Sequence, residues 1–141
     1  MIRKFGDREM LVGGCFCRNI RFEADGEPYN STICHCSDCR KAAAAPFVAW
    51  FSMRVRDLRF IADQPTFFRS SANVTRSFCP RCGTQLTFQS SRSPDEIDIA
   101  TCSLDDPELV PPRDHTRVEG RLSWIHLADD LPKFPVTRGS S

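Results

Sequence analysis

Cys34-His35-Cys36-Ser37-Asp38-Cys39 places three thiols within six residues, and this stretch constrains the chain more than any other. In an extended segment residues i and i+2 share a face, so Cys34 and Cys36 point the same way. Cys39 returns to that face if Ser37 begins a helical turn. Three converging sulfurs are the signature of a metal-ligand cluster. Upstream stands Cys15-Phe16-Cys17 and downstream Cys79-Pro80-Arg81-Cys82-Gly83, so the pattern reads CxC, CxCxxC, CxxC.

Eight cysteines in 141 residues are compatible with disulfides or with metal. Short paired spacings favour zinc, because disulfide frameworks belong to oxidising compartments. An iron-sulfur cluster is the rival, since it also takes thiolates. No apolar run is long enough to cross a bilayer. The start, Met1 to Asp7, lacks the apolar segment of a signal peptide, so a cytoplasmic protein is expected. Nineteen Lys and Arg against eighteen Asp and Glu leave a net charge of +1. That balance provides no field to attract nucleic acid or an anionic membrane, and a small or locally recognised partner is expected. The length suits a single domain over residues 1–141, with its core at about 11–135.

The punctuation of the chain predicts a mainly β fold of short antiparallel strands with one or two short helices. Residues 1–12 have no clear period and are expected to form a lead-in or a short edge strand. Alternation predicts strands at 19–23, 29–33, 58–61, 66–69, 74–78, 84–89 and 96–102. Phe47 to Phe51 is nearly all apolar and reads as a buried central strand. Between them, Ser37 to Ala45 carries four consecutive alanines and reads as a helix with Ser37 as its cap, ended by Pro46. The aromatic residues read as core, and the tail from Pro132 as a surface segment that frays.

Four thiolates close a tetrahedral structural zinc, whereas three leave one position open. Seven motif cysteines divide as four plus three. Cys79-x-x-Cys82-Gly83 is a zinc-ribbon corner, and Cys15-x-Cys17 is its natural complement, which leaves Cys34, Cys36 and Cys39 as an open site. The alternative is closure of that site by His35, His115, His126 or Cys102, giving two structural metals. His35, lying between two ligands, is expected to point away from the metal. Cys102 reads as a small buried hydrophobe. Arg40, Lys41 and Arg81 either screen the thiolates, bind ligand carboxylates, or are solvated charges. Asp105 and Asp106, beside Pro107, read as turn and capping residues.

Beyond the cysteines, Pro46-Phe47-Val48-Ala49-Trp50, Phe78 to Leu86, Ser103-Leu104-Asp105-Asp106-Pro107, Trp124-Ile125 and Leu131 to Pro135 extend a larger pattern. Together with Gly14 to Cys17 and Cys34 to Lys41, it resembles the glutathione-dependent formaldehyde-activating (GFA) family, whose domain also occurs in an animal centromere protein. The resemblance implies a zinc-stapled β-tent fold. It also implies two zincs per chain: a structural one on Cys15, Cys17, Cys79 and Cys82, and a more labile, reactive one on Cys34, Cys36 and Cys39. The activity it implies is condensation of glutathione with formaldehyde, a carbon-sulfur lyase reaction in reverse, with a small thiol and an aldehyde as partners. A non-catalytic zinc-stabilised interaction module is the competing reading. Two positions depart from the family, Arg18 and Ala44, where it usually has glycine, and both are expected to alter the entrance to the second zinc.

Overall fold

The computed structural model describes residues 3–5 and 8–138, with side chains from Met10 onward. Its strands are β1 (Arg3–Phe5), β2 (Arg8–Gly14), β3 (Arg21–Ala24) and β4 (Tyr29–Cys34). After helix α1 (Ser37–Ala43) come β5 (Val48–Arg54), β6 (Leu58–Ala62), β7 (Thr66–Arg69), β8 (Val74–Phe78), β9 (Gln85–Ser90), β10 (Glu96–Ala100) and β11 (Asp114–Thr116). They form a four-stranded sheet, β1-β2-β3-β6, and a seven-stranded sheet, β11-β4-β5-β10-β9-β8-β7. The fold is mainly β, and α1 is the one α-helix among the described residues. Pairing is antiparallel except between β11 and β4, which run parallel.

The continuous apolar run does become the central strand: β5 lies between β4 and β10. Its alternation sends Phe51 and Met53 to one face, where Ile97 and Ile99 of β10 join them. Leu86, the residue skipped by the register shift between β8 and β9, turns into the same core. Leu11, Phe22 and Ala24 of the small sheet close it from the other side. Burying each large side chain here contributes roughly 1.5–3 kcal/mol. The opposite face of β5 carries Trp50 and Ser52, and it is that face which holds the cavity described below.

Several local expectations differ from the fold. Arg8–Gly14 is no loose lead-in, since residues 8–10 pair with β1 and residues 11–14 with β3, while β1 at the edge of the sheet is a short edge strand as expected; residues 1, 2, 6 and 7 lie outside the described residues. Periodicity missed β2 because Gly13-Gly14 interrupts its apolar alternation. Those glycines are sterically required, since a Cβ on Gly14 would lie 2.0 Å from the Ile20 carbonyl oxygen. The strand at the C-terminal end of the 96–102 segment stops at Ala100 and gives way to a 3-10 turn over Thr101–Ser103, which leaves Cys102 exposed, not buried. The tail does not fray before Arg138: Phe134 N–H donates to the His115 carbonyl at 2.9 Å, and Arg138 forks onto Asp114. Its last residues, 139–141, lie outside the described residues. Aromatic residues divide, with Trp50 and Phe51 buried but Phe16, Phe67, Phe68 and Trp124 exposed. Asp106 caps a 3-10 turn by accepting from Glu108 N–H, as expected, whereas Asp105 forms a fork with Arg21.

Candidate metal centre and the adjoining cavity

The four-cysteine cluster is made by two tight turns that are distant in sequence and meet in space. The turn after β2 brings Cys15 and Cys17 together, with Sγ atoms 3.5 Å apart, and Ile20 N–H donates to Cys15 Sγ. The second turn, after β8, holds Cys79 and Cys82. Arg81 N–H and Cys82 N–H both point at Cys79 Sγ, at 3.3 and 3.4 Å. Gly83, at φ +84, lets its N–H return to the Cys79 carbonyl at 2.8 Å. Cys17 Sγ and Cys79 Sγ are 3.8 Å apart.

The three-cysteine cluster is local. Cys34 ends β4, Cys36 is the N-cap of α1, and Cys39 lies in the first turn. The cap is therefore Cys36 and not Ser37: its sulfur accepts from Cys39 N–H at 3.2 Å. A thiolate satisfies the orphan helical donor as a capping oxygen would, so the polar serine next to it was the misleading signal. Cys34 and Cys39 sulfurs are 3.6 Å apart. Both lie in buried surroundings, while Cys36 is partly exposed.

Within each cluster the sulfurs all lie within 4.8 Å of one another, an arrangement able to hold a metal ion. The spacing fits zinc: a tetrahedron with Zn–S of about 2.3 Å has edges of about 3.8 Å, whereas a disulfide would need about 2.05 Å. The surroundings also favour thiolate. The Thr84 hydroxyl, with further backbone donors, draws Cys82 down to about 5. Interaction with Cys34, then with Cys39, lowers Cys36, and the same contact raises Cys34. Two groups of thiols that compete for a negative charge in this way gain from a shared dication.

None of the alternative fourth ligands joins the three-cysteine cluster among the described residues. His35 turns away from the sulfurs, as expected, and is buried. Its Nε2 lies 2.9 Å from His115 Nδ1, and His115 Nε2 lies 2.9 Å from an Asp129 oxygen. Burial, followed by the nearby His115, lowers the His35 pKa. Cys102 takes no part in either cluster.

What distinguishes the clusters is their access. Cys34, Cys36 and Cys39 line a cavity of about 990 Å³, and none of the other four clustered cysteines does. Its floor is the free face of the seven-stranded sheet, where Thr32, Trp50, Ser52, Asp98, Phe88 and Arg76 stand in successive strands. Ser52 Oγ donates to Asp98 at 2.6 Å, and burial pushes the Asp98 carboxyl up to about 6. Arg76 is 7% exposed, donates to Gln85 Oε1 at 3.1 Å, and lies over the Phe88 ring at 5.0 Å. Of the basic residues singled out from sequence, Lys41 lines the cavity, Arg81 is exposed outside it, and Arg40 is half-buried. Arg76 and Asp98 were not singled out. A charged residue at the buried-face position of a short strand was the available signal.

Arg18 and Ala44 do not line the cavity. They share a different property: their φ values are 67° and 50°, in the left-handed region. Arg18 closes the Cys15 turn and Ala44 caps the C-terminus of α1. Both departures thus replace the residue best suited to the backbone, and neither reshapes the entrance to the cavity as expected from sequence.

A model of the family described as glutathione-dependent formaldehyde-activating enzyme matches residues 10–120, which contain all seven clustered cysteines. The chain belongs to that family. It is 34% identical over 76 residues to a Schizosaccharomyces pombe protein named as an uncharacterized lyase, covering 54% of this chain. The match spans about half the length of that curated relative, 55%. A crystal structure of a Rhodobacter sphaeroides protein superposes with a TM-score of 0.55 at 19% identity, covering 86% of this chain and 98% of the other, and so shares the fold. No helix among the described residues is long and apolar enough to cross a membrane.

Proposed function

We propose that this chain is a zinc-dependent enzyme of carbon-sulfur lyase type, joining a small thiol such as glutathione to formaldehyde or a related aldehyde. The observation that carries this reading is the difference in access: the three-cysteine cluster opens on the cavity, and the four-cysteine cluster does not. Cys15, Cys17, Cys79 and Cys82 would hold a structural zinc, and Cys34, Cys36 and Cys39 a second, reactive one. When bound at an open three-thiolate site, zinc supplies a Lewis acid that favours a substrate thiolate at neutral pH.

In the reaction the thiol sulfur forms a bond to the aldehyde carbon, the carbonyl π bond breaks, and the thiol proton ends on the oxygen. Oxidation states do not change and nothing leaves. The chain's own residues then have three tasks. Trp50 and Phe88, with rings 6.1 Å apart, give the cavity an apolar wall against which the substrate chain can pack. Cys36, the most accessible of the three thiols, would form the cavity-facing side of the cluster, so that an ion held there would face the substrate. Ser52 and Asp98 lie four strand positions beyond the Val48–Cys34 pair, roughly 13 Å away, which suits them to hold the distal end of a thiol substrate.

Exchange NMR on glutathione plus formaldehyde tests this reading. Zinc-replete protein should accelerate formation and breakdown of the adduct, and Cys36→Ser should remove the acceleration while the protein stays folded. Equal rates with and without protein would transfer support to a non-catalytic zinc-stabilised interaction module.

A further inference from the structure

Arg76 is a buried guanidinium without a matching carboxylate. Among the described residues no Asp or Glu oxygen lies within 4 Å of it, although the other arginines that border the cavity or the four-cysteine turn include forks from Arg138 to Asp114 and from Arg21 to Asp105. Asp98 stands in the same row of the sheet but is engaged by Ser52. Such burial is unfavourable unless the charge is compensated. Here one donor is used by the neutral Gln85 amide and one face is covered by Phe88, and the residue opens on the cavity shared with the three thiols.

The direction of the side chain matters. Gln85 lies toward the end of β9 that is level with Ala100 and Trp50, and Trp50 is opposite Thr32, two residues before Cys34. Arg76 therefore reaches along the sheet toward the thiol end of the cavity. Stacking on Phe88 and bonding to Gln85 fix the plane of the guanidinium, which lowers the ordering cost of a two-point contact with a carboxylate.

We infer that Arg76 is the receptor for a carboxylate of the thiol substrate, so that the cavity selects anionic thiols over neutral ones of the same size. This rests on the thiol-adduct reading above and adds the chemical class of its substrate. A carboxylate arriving in the cavity completes an ion pair that the fold leaves half-made.

The test uses zinc-replete protein and S-methylglutathione, which keeps both carboxylates but has no thiol to give the metal, alongside its dimethyl ester. Calorimetry should show the diacid binding to the wild type about tenfold or more tighter than the diester. Arg76→Met should abolish that preference and Arg76→Lys should restore part of it. An equal affinity of the wild type for diacid and diester, or a preference that survives Arg76→Met, overturns the assignment. Because the comparison of diacid with diester needs only the wild type, misfolding of a variant does not remove the test. Catalytic acceleration without a diacid preference would sink this inference alone. A diacid preference dependent on Arg76 without acceleration would sink the lyase reading and leave the anion site.

Discussion

His35 Nε2 and His115 Nδ1 meet at 2.9 Å in a buried stack, and this contact ties the three-cysteine loop to β11. Asp129 holds the far side of the His115 ring, with an oxygen 2.9 Å from Nε2, so the contact continues as a chain from His35 through His115 to Asp129. The loop is thus fixed from behind by side chains that never touch the sulfurs. The same connection is reinforced by His35 N–H on the Thr116 carbonyl. Replacing His115 by Ala leaves the buried His35 Nε2 without its partner and should destabilise the protein by about 2–4 kcal/mol. A urea titration would show it as a lowered midpoint, with faster zinc release from the three-cysteine site; an unchanged midpoint would contradict the account.

Metal removal should proceed in two steps. A weak chelator is expected to take one zinc, from Cys34, Cys36 and Cys39, without changing the circular dichroism. A strong one should take the second and unfold the chain, since the binding energy of such a structural zinc, roughly 10–16 kcal/mol in small model domains, is comparable to a domain's whole stability. Zinc release followed with a chromophoric chelator, beside circular dichroism, separates the two. Simultaneous loss of both metals would show that the clusters are not independent.

Single cysteine changes should divide in the same way. Cys36→Ser should fold, hold one zinc fewer and be inactive; Cys79→Ser should fail to fold or be degraded during expression. Metal content by mass spectrometry and a thermal melt check both, and a stable, active Cys79→Ser protein would refute the assignment of roles.

Arg18→Gly and Ala44→Gly should each stabilise the protein. A left-handed conformation costs a non-glycine residue about 1–2 kcal/mol, from which glycine's extra unfolded-state entropy subtracts about 0.5–1. A net gain of about 0.5–1 kcal/mol per site is expected from denaturant unfolding, without change in catalytic rate because neither residue lines the cavity. Loss of stability at both sites would show that their side chains matter more than their backbone.

Asp98 sets a pH dependence of known sign. Its carboxyl is raised from the ordinary 3.8 to about 6, chiefly by burial, opposed by Ser52 and Arg138 and assisted by Glu96. The folded state therefore holds the proton more tightly than the unfolded chain. Its contribution is most favourable below about 4, weakens as pH rises to about 6, and stays unfavourable above that, by at most about 3 kcal/mol. Asp98→Asn should gain stability relative to the wild type over this window. Paired melts at pH 4.5 and 7 measure it, and a difference that does not grow with pH would remove Asp98 as the cause.

The cysteine spacing made both clusters legible, because i and i+2 in extended chain and a capped first turn leave few other ways to place the sulfurs. Most strands were legible too, since their alternation reports one buried face. The seven-stranded order was not. It depends on which strands meet across long separations, such as the parallel pairing of β11 with β4, and local periodicity carries no such information. For the same reason Arg76 and Asp98 looked like ordinary polar positions until register placed them on one floor. Arg18 and Ala44 show a different limit: the missing glycines were visible, but only φ showed that the change concerns backbone conformation.

The two clusters also differ in how far apart their members stand along the chain. Cys34 and Cys39 are separated by five positions, whereas Cys17 and Cys79 are separated by 62. On a chain emerging from the ribosome, the nearer three thiols are all present long before Cys79 has been made, and closing their loop costs little entropy. The three-cysteine cluster is then the first able to capture an ion. The cluster that locks the fold must wait until β8 has been synthesised and brought to the Cys15 turn. Assembly would thus begin at the three-cysteine cluster and finish at the four-cysteine one, the same order in which a chelator is expected to strip them, so that the first site to load is also the first to empty.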